Sequence, residues 1–380
     1  MRITRQSIHR ALRVIAYGGP KRLCDNATWA RTHPEAWTKV IDREVPNRRP
    51  AVKFGTIDAD FESMLPAAFP EMGLVTLAHG RIIGPHGWLV SADGSLLHEN
   101  SWYGAEYPTK PWKIAYGKRR AVKGTCLSLA SDFAIGNYGH FILDCLGRAA
   151  LFLKAGRSFG EIDHVYIPRP PSPTTEAFLR AIGVPLEKCI WAEESCIAAD
   201  TVIGTTFPGT RRNYPRWLID FFRSLAGTDA KRAHRRIYVP RTGPRQVRNE
   251  AELRAALDRF GFETYDFRKV DDEAAYFAEA EIVVGAHGAG MTNLIFCQPG
   301  TWVLELLPSD HVWPYFYTIA DSAGAAYHYI VGNSLGSRPK GTFGPSPFDF
   351  VVDPAVFESA LETICSDVPG ARSTMRLEQS

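Results

Sequence analysis

The chain has 380 residues, 45% hydrophobic and 22% charged, which is the balance of a globular protein long enough for two domains with separate cores. A net charge of +3 is too small to point to nucleic acid, and no run approaches the roughly 20 apolar residues that a membrane-spanning helix needs. Seven cysteines with no CxxC pair argue against a disulfide framework and a structural zinc site, and read as small core thiols in a reducing compartment.

Residues 1–50 hold eleven Lys/Arg against four Asp/Glu, so this segment is +7 and the remainder is −4. Arg5 to Ala16 reads as a short basic amphipathic helix that could rest on an anionic membrane surface, at roughly 1 kcal/mol per basic residue close to it. A solvated tail is the plain alternative. The segment has no apolar signal core, so the expected compartment is the cytoplasm, with peripheral attachment at the inner face of the membrane left open. Residues 1–70 carry no firm assignment. From Gly73 to Leu129 the chain reads as an antiparallel β meander, with a hairpin signal where Gly87 to Val90 meets Ser95 to Leu97 across Asp93-Gly94.

Asn137 to Lys154 switches to helical spacing, with Phe141, Ile142, Cys145, Leu146 and Ala149 among the apolar positions. A weaker strand and helix alternation follows, ending in a helix over Trp217 to Leu225. From Arg236 the alternation is clean: strand Arg236 to Pro240, helix Glu250 to Phe260, strand Phe262 to Phe267, helix Asp272 to Ala280, strand Glu281 to Ala286. After the glycine turn His287 to Gly290 come a helix over Met291 to Cys297 and a strand over Thr301 to Leu307. Such alternation calls for a parallel sheet with right-handed crossovers. The expected division is an N-terminal domain over 1–228, β-rich over 73–130 and α/β over 135–228. A Rossmann-like domain would occupy 229–345, and 346–380 a helix from Pro354 to Ile364 and a tail.

Three groups could carry chemistry. Asn137, His140, Asp144 and Arg148 are spaced three, four and four, which sets them along one stripe of an otherwise apolar helix. An imidazole and a carboxylate one turn apart can supply a general base, either the histidine oriented by the acid or the acid itself. The alternative is a surface helix whose Asp144 and Arg148 form an ordinary ion pair. Arg241 and Arg248 flank the loop after a strand, at the sheet edge where open α/β sheets place ligands and where arginine can grip phosphate. At the next such edge, glycines at 288 and 290 let the backbone approach an anion and adopt positive φ, before helix amides that lack intrahelical partners. His287 ends a strand at that edge, so it points into the ligand crevice or over it. Glu305, inside an apolar strand, either meets a ligand hydroxyl or pairs internally. Asp58-Ala59-Asp60 matches the short DxD pattern that some sugar transferases use for a metal and diphosphate, but three residues with one wildcard occur often by chance.

Taken together, these blocks look familiar. Asn137-Tyr138-Gly139-His140-Phe141 with Asp144 and Arg148, Arg236 to Arg241, Arg248-Asn249-Glu250, and His287 to Asn293 with Glu305 resemble glycosyltransferase family 61. That family includes bacterial capsular polysaccharide enzymes, plant xylan-decorating transferases and eukaryotic O-linked N-acetylglucosaminyltransferases. The resemblance implies a GT-B fold, α/β with two Rossmann-like domains facing across a cleft. It also implies an inverting enzyme that moves sugar from a nucleotide-sugar, usually a UDP-sugar, to a glycan or lipid-linked glycan in surface polysaccharide biosynthesis. His140 or Asp144 would be the base. Arg241, Arg248, His287, Gly288, Ala289, Gly290, Thr292, Asn293 and Glu305 would hold the donor without a metal, while Asn137 and Arg148 support the base. Gly139 and Met291 depart from the bulky aromatic and leucine common at those places. A non-catalytic nucleotide-sugar or glycan-binding protein of the same fold is the rival reading. A Rossmann oxidoreductase is disfavoured by the absence of G-x-G-x-x-G.

Overall fold

A computed structural model describes residues 12–101, 114–193, 195–209, 212–228, 233–338 and 344–368. The chain forms two compact units: unit 1 is Met1–Pro46 with Pro66–Arg211, and unit 2 is Asn47–Leu65 with Arg212–Ser380. Of the expected N-terminal helix, residues 12–17 are helical and the rest lies outside the described residues. No described helix is long and apolar enough to cross a membrane.

In chain order the first strands are β1 (Arg22–Cys24), β2 (Trp37–Ile41), β3 (Val52–Phe54), β4 (Met72–Ala78), β5 (Arg81–Ile83), β6 (Trp88–Val90) and β7 (Ser95–Leu97). Then come β8 (Lys118–Ser128), β9 (His164–Ile167), β10 (Cys189–Trp191) and β11 (Ser195–Thr205). All but β3 build the sheet of unit 1, ordered β1-β7-β6-β5-β11-β8-β9-β10, with β4 also on β11 and β2 on β4. The expected meander is present in β5-β6-β7, where Val90 faces Leu96 across the hairpin. It does not extend further. β8 runs parallel to β11 and β9, and β4 and β5 both lie antiparallel on β11. Unit 1 is therefore a mixed sheet, because hairpins are written in neighbouring residues whereas β11, which joins the halves, comes from far along the chain. Val75, Leu77, Ile82, Leu89, Cys126 and Val202 lie in its core.

The expected helix over 137–154 forms with one local change. Tyr138–His140 and Gly147–Lys154 are α-helical, but Phe141–Leu146 between them is a π-helix. Here the Gly147 amide donates to the Ile142 carbonyl five residues back. Such wide turns are uncommon and recur at functional sites.

Unit 2 holds β12 (Arg235–Val239), β13 (Glu263–Thr264), β14 (Ala280–Ala286), β15 (Trp302–Pro308), β16 (Ala326–Ser334) and β17 (Phe350–Val351). The order is β13-β12-β14-β15-β16, every one of these pairs parallel, and β17 closes antiparallel on β16. Counted from its first strand the order is 2-1-3-4-5, a doubly wound sheet whose direction of winding reverses between β12 and β14. This is the Rossmann-like body that the alternation predicts. The helices Glu250–Arg259 and Pro354–Asp367 share one core with it through Leu253, Leu257, Phe357 and Leu361.

β3 adds to this sheet from early in the sequence, with His328 facing Val52 and Ile330 facing Phe54. Phe61 follows it and packs on Tyr317, Tyr327 and Tyr329 at ring-centroid distances of 5.4, 6.0 and 5.2 Å. The DxD carboxylates are used locally: Asp60 caps the short helix Phe61–Met64, accepting from the Ser63 amide at 3.2 Å, and Asp58 pairs with Lys53 at 2.5 Å. Because Phe61 is fully enclosed, Phe61→Ala should cost about 3 kcal/mol, as large-to-small core changes do. Hydrogen exchange should quicken in β16 and stay unchanged in β11; equal quickening of both would show that Phe61 does not belong to unit 2 alone.

Candidate active site

In unit 1 the polar stripe is neither solvated nor an Asp144–Arg148 ion pair. Asn137 caps the helix, its side chain accepting from the His140 amide at 3.2 Å. His140 Nδ1 lies 2.8 Å from Asp144 Oδ2, a carboxylate fully out of water, while the imidazole keeps 16% of its surface exposed. Ser131 Oγ donates to the same Asp144 oxygen at 3.3 Å. A buried carboxylate beside Nδ1 fixes the orientation of the ring. Of the two groups, only the histidine reaches solvent.

Arg148 is fully buried. Its Nε donates to Thr205 Oγ1 at 3.1 Å, Nη2 to the Asn100 carbonyl at 3.1 Å and Nη1 to the Ala130 carbonyl, with the guanidinium 4.7 Å from the Phe207 ring centre. Burial pushes its pKa down to about 10. This cation ties the segment that carries Ser131 to β11 and so supports Asp144 from behind.

In unit 2 the strand ends at the winding reversal meet as the sequence predicts, but the glycines act differently. Gly288 has an extended φ of 177°, and neither it nor Gly290 lies in the left-handed region. What they provide is room: a Cβ at Gly288 would collide with the Arg241 guanidinium, and one at Gly290 would press on Val239. The expected α-helix is a 3-10 helix, Ala289–Phe296. Residues 291–297 are buried on every side, so no 3.6-residue period separates the two forms. Ala289 is exposed and Gly290 half-buried, whereas Thr292 and Asn293 lie inside, Asn293 Nδ2 reaching Tyr265 Oη at 3.5 Å.

Arg241 lies against Gly288, its Nε donating to the Pro244 carbonyl at 2.5 Å. Burial, then repulsion from Arg245, pushes its pKa down to about 10. Arg248 differs, with a side chain 61% exposed and paired to Asp349 at 2.7 Å. Glu305 pairs internally: Oε1 lies 2.5 Å from His287 Nδ1, and Oε2 accepts from the Tyr327 hydroxyl at 2.5 Å. His287 also packs edge-on against His311 at 5.2 Å, whose Nδ1 accepts from Trp313 Nε1 at 3.0 Å. The sequence singles out Arg245, Tyr327 and His311 for nothing. Tyr327 becomes a neighbour only through the pairing of β15 with β16, which local patterning does not encode.

Burial raises Glu305 to about 8 from 4.5, with the Tyr327 hydroxyl pulling the other way. Burial, then Arg245 and Arg241, hold His287 well below its ordinary 6.5. The pair therefore keeps one shared proton to about pH 8, and in that state Nε2 bears a hydrogen whichever partner holds the shared one. Glu305, raised on folding, contributes stability that is full below 4.5 and lost as pH rises through about 8. His287, depressed, contributes stability that is lost as pH falls below 6.5. The melting temperature should therefore fall between pH 6.5 and about 8, and Glu305→Gln should remove that fall. An equal fall in the variant would place the proton elsewhere.

Residues 138–304 match the family described as Glycosyltransferase 61. A β-1,2-xylosyltransferase of Oryza sativa subsp. japonica is 44% identical over 52 residues, covering 14% of this chain and 10% of that protein. A β-1,2-xylosyltransferase of Arabidopsis thaliana is 33% identical over 57 residues, 15% of this chain and 11% of that protein. The likeness to these relatives thus spans about a tenth of their length. The family match runs from the helix carrying His140 and Asp144 in unit 1 to β15 in unit 2, and through it this chain is similar to glycosyltransferase family 61.

Proposed function

We propose that the protein is an inverting glycosyltransferase of the family 61 type, using a nucleotide-sugar donor, in first place a UDP-sugar, and a glycan or lipid-linked glycan acceptor. The observation that carries this reading is the seat of Arg241 on Gly288 at the winding reversal of unit 2, where doubly wound sheets bind nucleotides. Donation from Arg241, from His287 Nε2–H and from the amides at 289 and 290 would stabilise the negative charge that grows on a departing diphosphate. Side chains Thr292 and Asn293 would hold this turn in shape from within, and Glu305 would hold His287.

Inversion needs one base to take the proton of the acceptor hydroxyl as that oxygen attacks the anomeric carbon and the diphosphate leaves. His140 Nε2 fits this role, with Asp144 as its positioning residue, because the histidine is the member of the pair that reaches solvent. We place no metal in this scheme: arginine, imidazole and amide donors supply the positive charge. The setting proposed is polysaccharide biosynthesis, cytoplasmic or at the inner face of a membrane. The plant relatives are named xylosyltransferases, so UDP-xylose belongs among the donors tried.

Turnover and UDP affinity measured side by side test the scheme. His140→Ala should lose at least a hundredfold in turnover, the usual range for a general base, and Asp144→Asn should lose turnover as well, both with UDP affinity kept. Arg241→Ala should weaken UDP by tenfold or more, about the value of one charge-assisted contact. Wild-type turnover should persist in EDTA. Full activity in both unit 1 variants would move the base elsewhere. Activity lost in EDTA and restored by manganese would overturn the metal-free scheme, and tight UDP binding without transfer to any acceptor would favour a non-catalytic binding protein.

A further inference from the structure

The loop between β12 and the helix Glu250–Arg259 carries a third arginine, Arg245, and its surroundings differ from those of Arg248. Arg245 stands at φ 69°, the left-handed region that costs a residue with a side chain. Its Nη1 donates to the Ser346 carbonyl at 3.0 Å, while its buried Nε has no hydrogen-bond partner among the described residues. The carboxylate it senses most strongly, Asp310, is occupied: Oδ1 accepts from Ser334 Oγ and Oδ2 from Ser346 Oγ, each at 2.6 Å. Neither Arg241 nor Arg245 forms an ion pair among the described residues, although each repels the protonated form of His287. Two partly buried guanidiniums, the first repelled by the second and neither in an ion pair among the described residues, are costly unless an anion comes between them.

We propose that Arg245, rather than Arg248, is the second guanidinium that takes a diphosphate at this sheet edge, Arg241 being the first. The proposal rests on the donor-site reading above. Arg248 already has its counter-ion in Asp349, whose other oxygen accepts the Gln246 amide at 3.0 Å, so this pair braces the loop from outside. Arg245 has no ion pair among the described residues and a buried Nε without a hydrogen-bond partner there, and its strained backbone is the cost of holding that cation where a ligand would satisfy it. The ligand class is a nucleoside diphosphate or the diphosphate part of a nucleotide-sugar, because two forked cations suit two adjacent phosphoryl groups.

The test is calorimetric titration of UDP into the full chain, beside a thermal melt. Arg245→Gly should melt at the same temperature or higher, since glycine accepts positive φ and one member of the repelling pair is gone, while UDP affinity falls about tenfold or more. A residue that only shaped the loop would lose stability and affinity together. If the glycine variant melts lower, Arg245→Lys decides, because it keeps the charge without the fork and should still bind several-fold more weakly. Arg248→Ala should bind within about twofold of the wild type, as befits an exposed ion pair. Unchanged affinity in Arg245→Gly or Arg245→Lys beside weakened binding in Arg241→Ala would overturn this proposal and leave the donor site standing. Unchanged affinity in Arg241→Ala too would remove both.

Discussion

The reversal of winding between β12 and β14 is the constraint on which the account of unit 2 depends. Where neighbouring parallel strands send their following chains to opposite faces of the sheet, their carboxyl ends are left uncovered and a crevice opens. Arg241 after β12 and His287-Gly288 after β14 are the residues at that opening. Gly288 leaves room for the Arg241 guanidinium, and the Tyr327–Glu305–His287 chain fixes the imidazole. The proposed site follows from topology: the sheet order sets the two strand ends side by side, and three short-range contacts fix the side chains there.

Unit 1 solves a different problem with a buried charge. Asp144 is enclosed, so it needs partners, and His140 and Ser131 provide them. Arg148, one turn on, answers to carbonyls and to Thr205 instead of to Asp144. The π-helical segment lies between the histidine and the arginine, and the two side chains have different partners. Asp144 thus keeps His140 and Ser131 as partners and makes no ion pair with Arg148.

Much of unit 2 was legible because its strands and helices follow one another along the chain, so period and turn chemistry could be read locally. His140 with Asp144, and Arg241 with the Gly288 turn, were legible for the same reason. Partners that depend on strand order were not. Tyr327 meets Glu305 through β16, β3 reaches the sheet of unit 2 from residues 52–54, and β11 crosses β4, β5 and β8 in unit 1. Nor does residue type reveal which of the three loop arginines has its ion pair among the described residues. Arg248 looks equal to Arg241 in sequence, and Asp349, about a hundred residues on, separates them. The glycine turn was found for a partly mistaken reason, since Gly288 has an extended φ and what it gives is room for the Arg241 guanidinium.

The central claim is that the strand ends at the winding reversal of unit 2 hold the donor's diphosphate. Hydrogen exchange followed by mass spectrometry, with and without saturating UDP, tests it most directly. The account predicts slower exchange over 239–248 and 287–292, and no change over 137–148 with UDP alone. Protection confined to 137–148, with 239–248 and 287–292 unchanged, would contradict it.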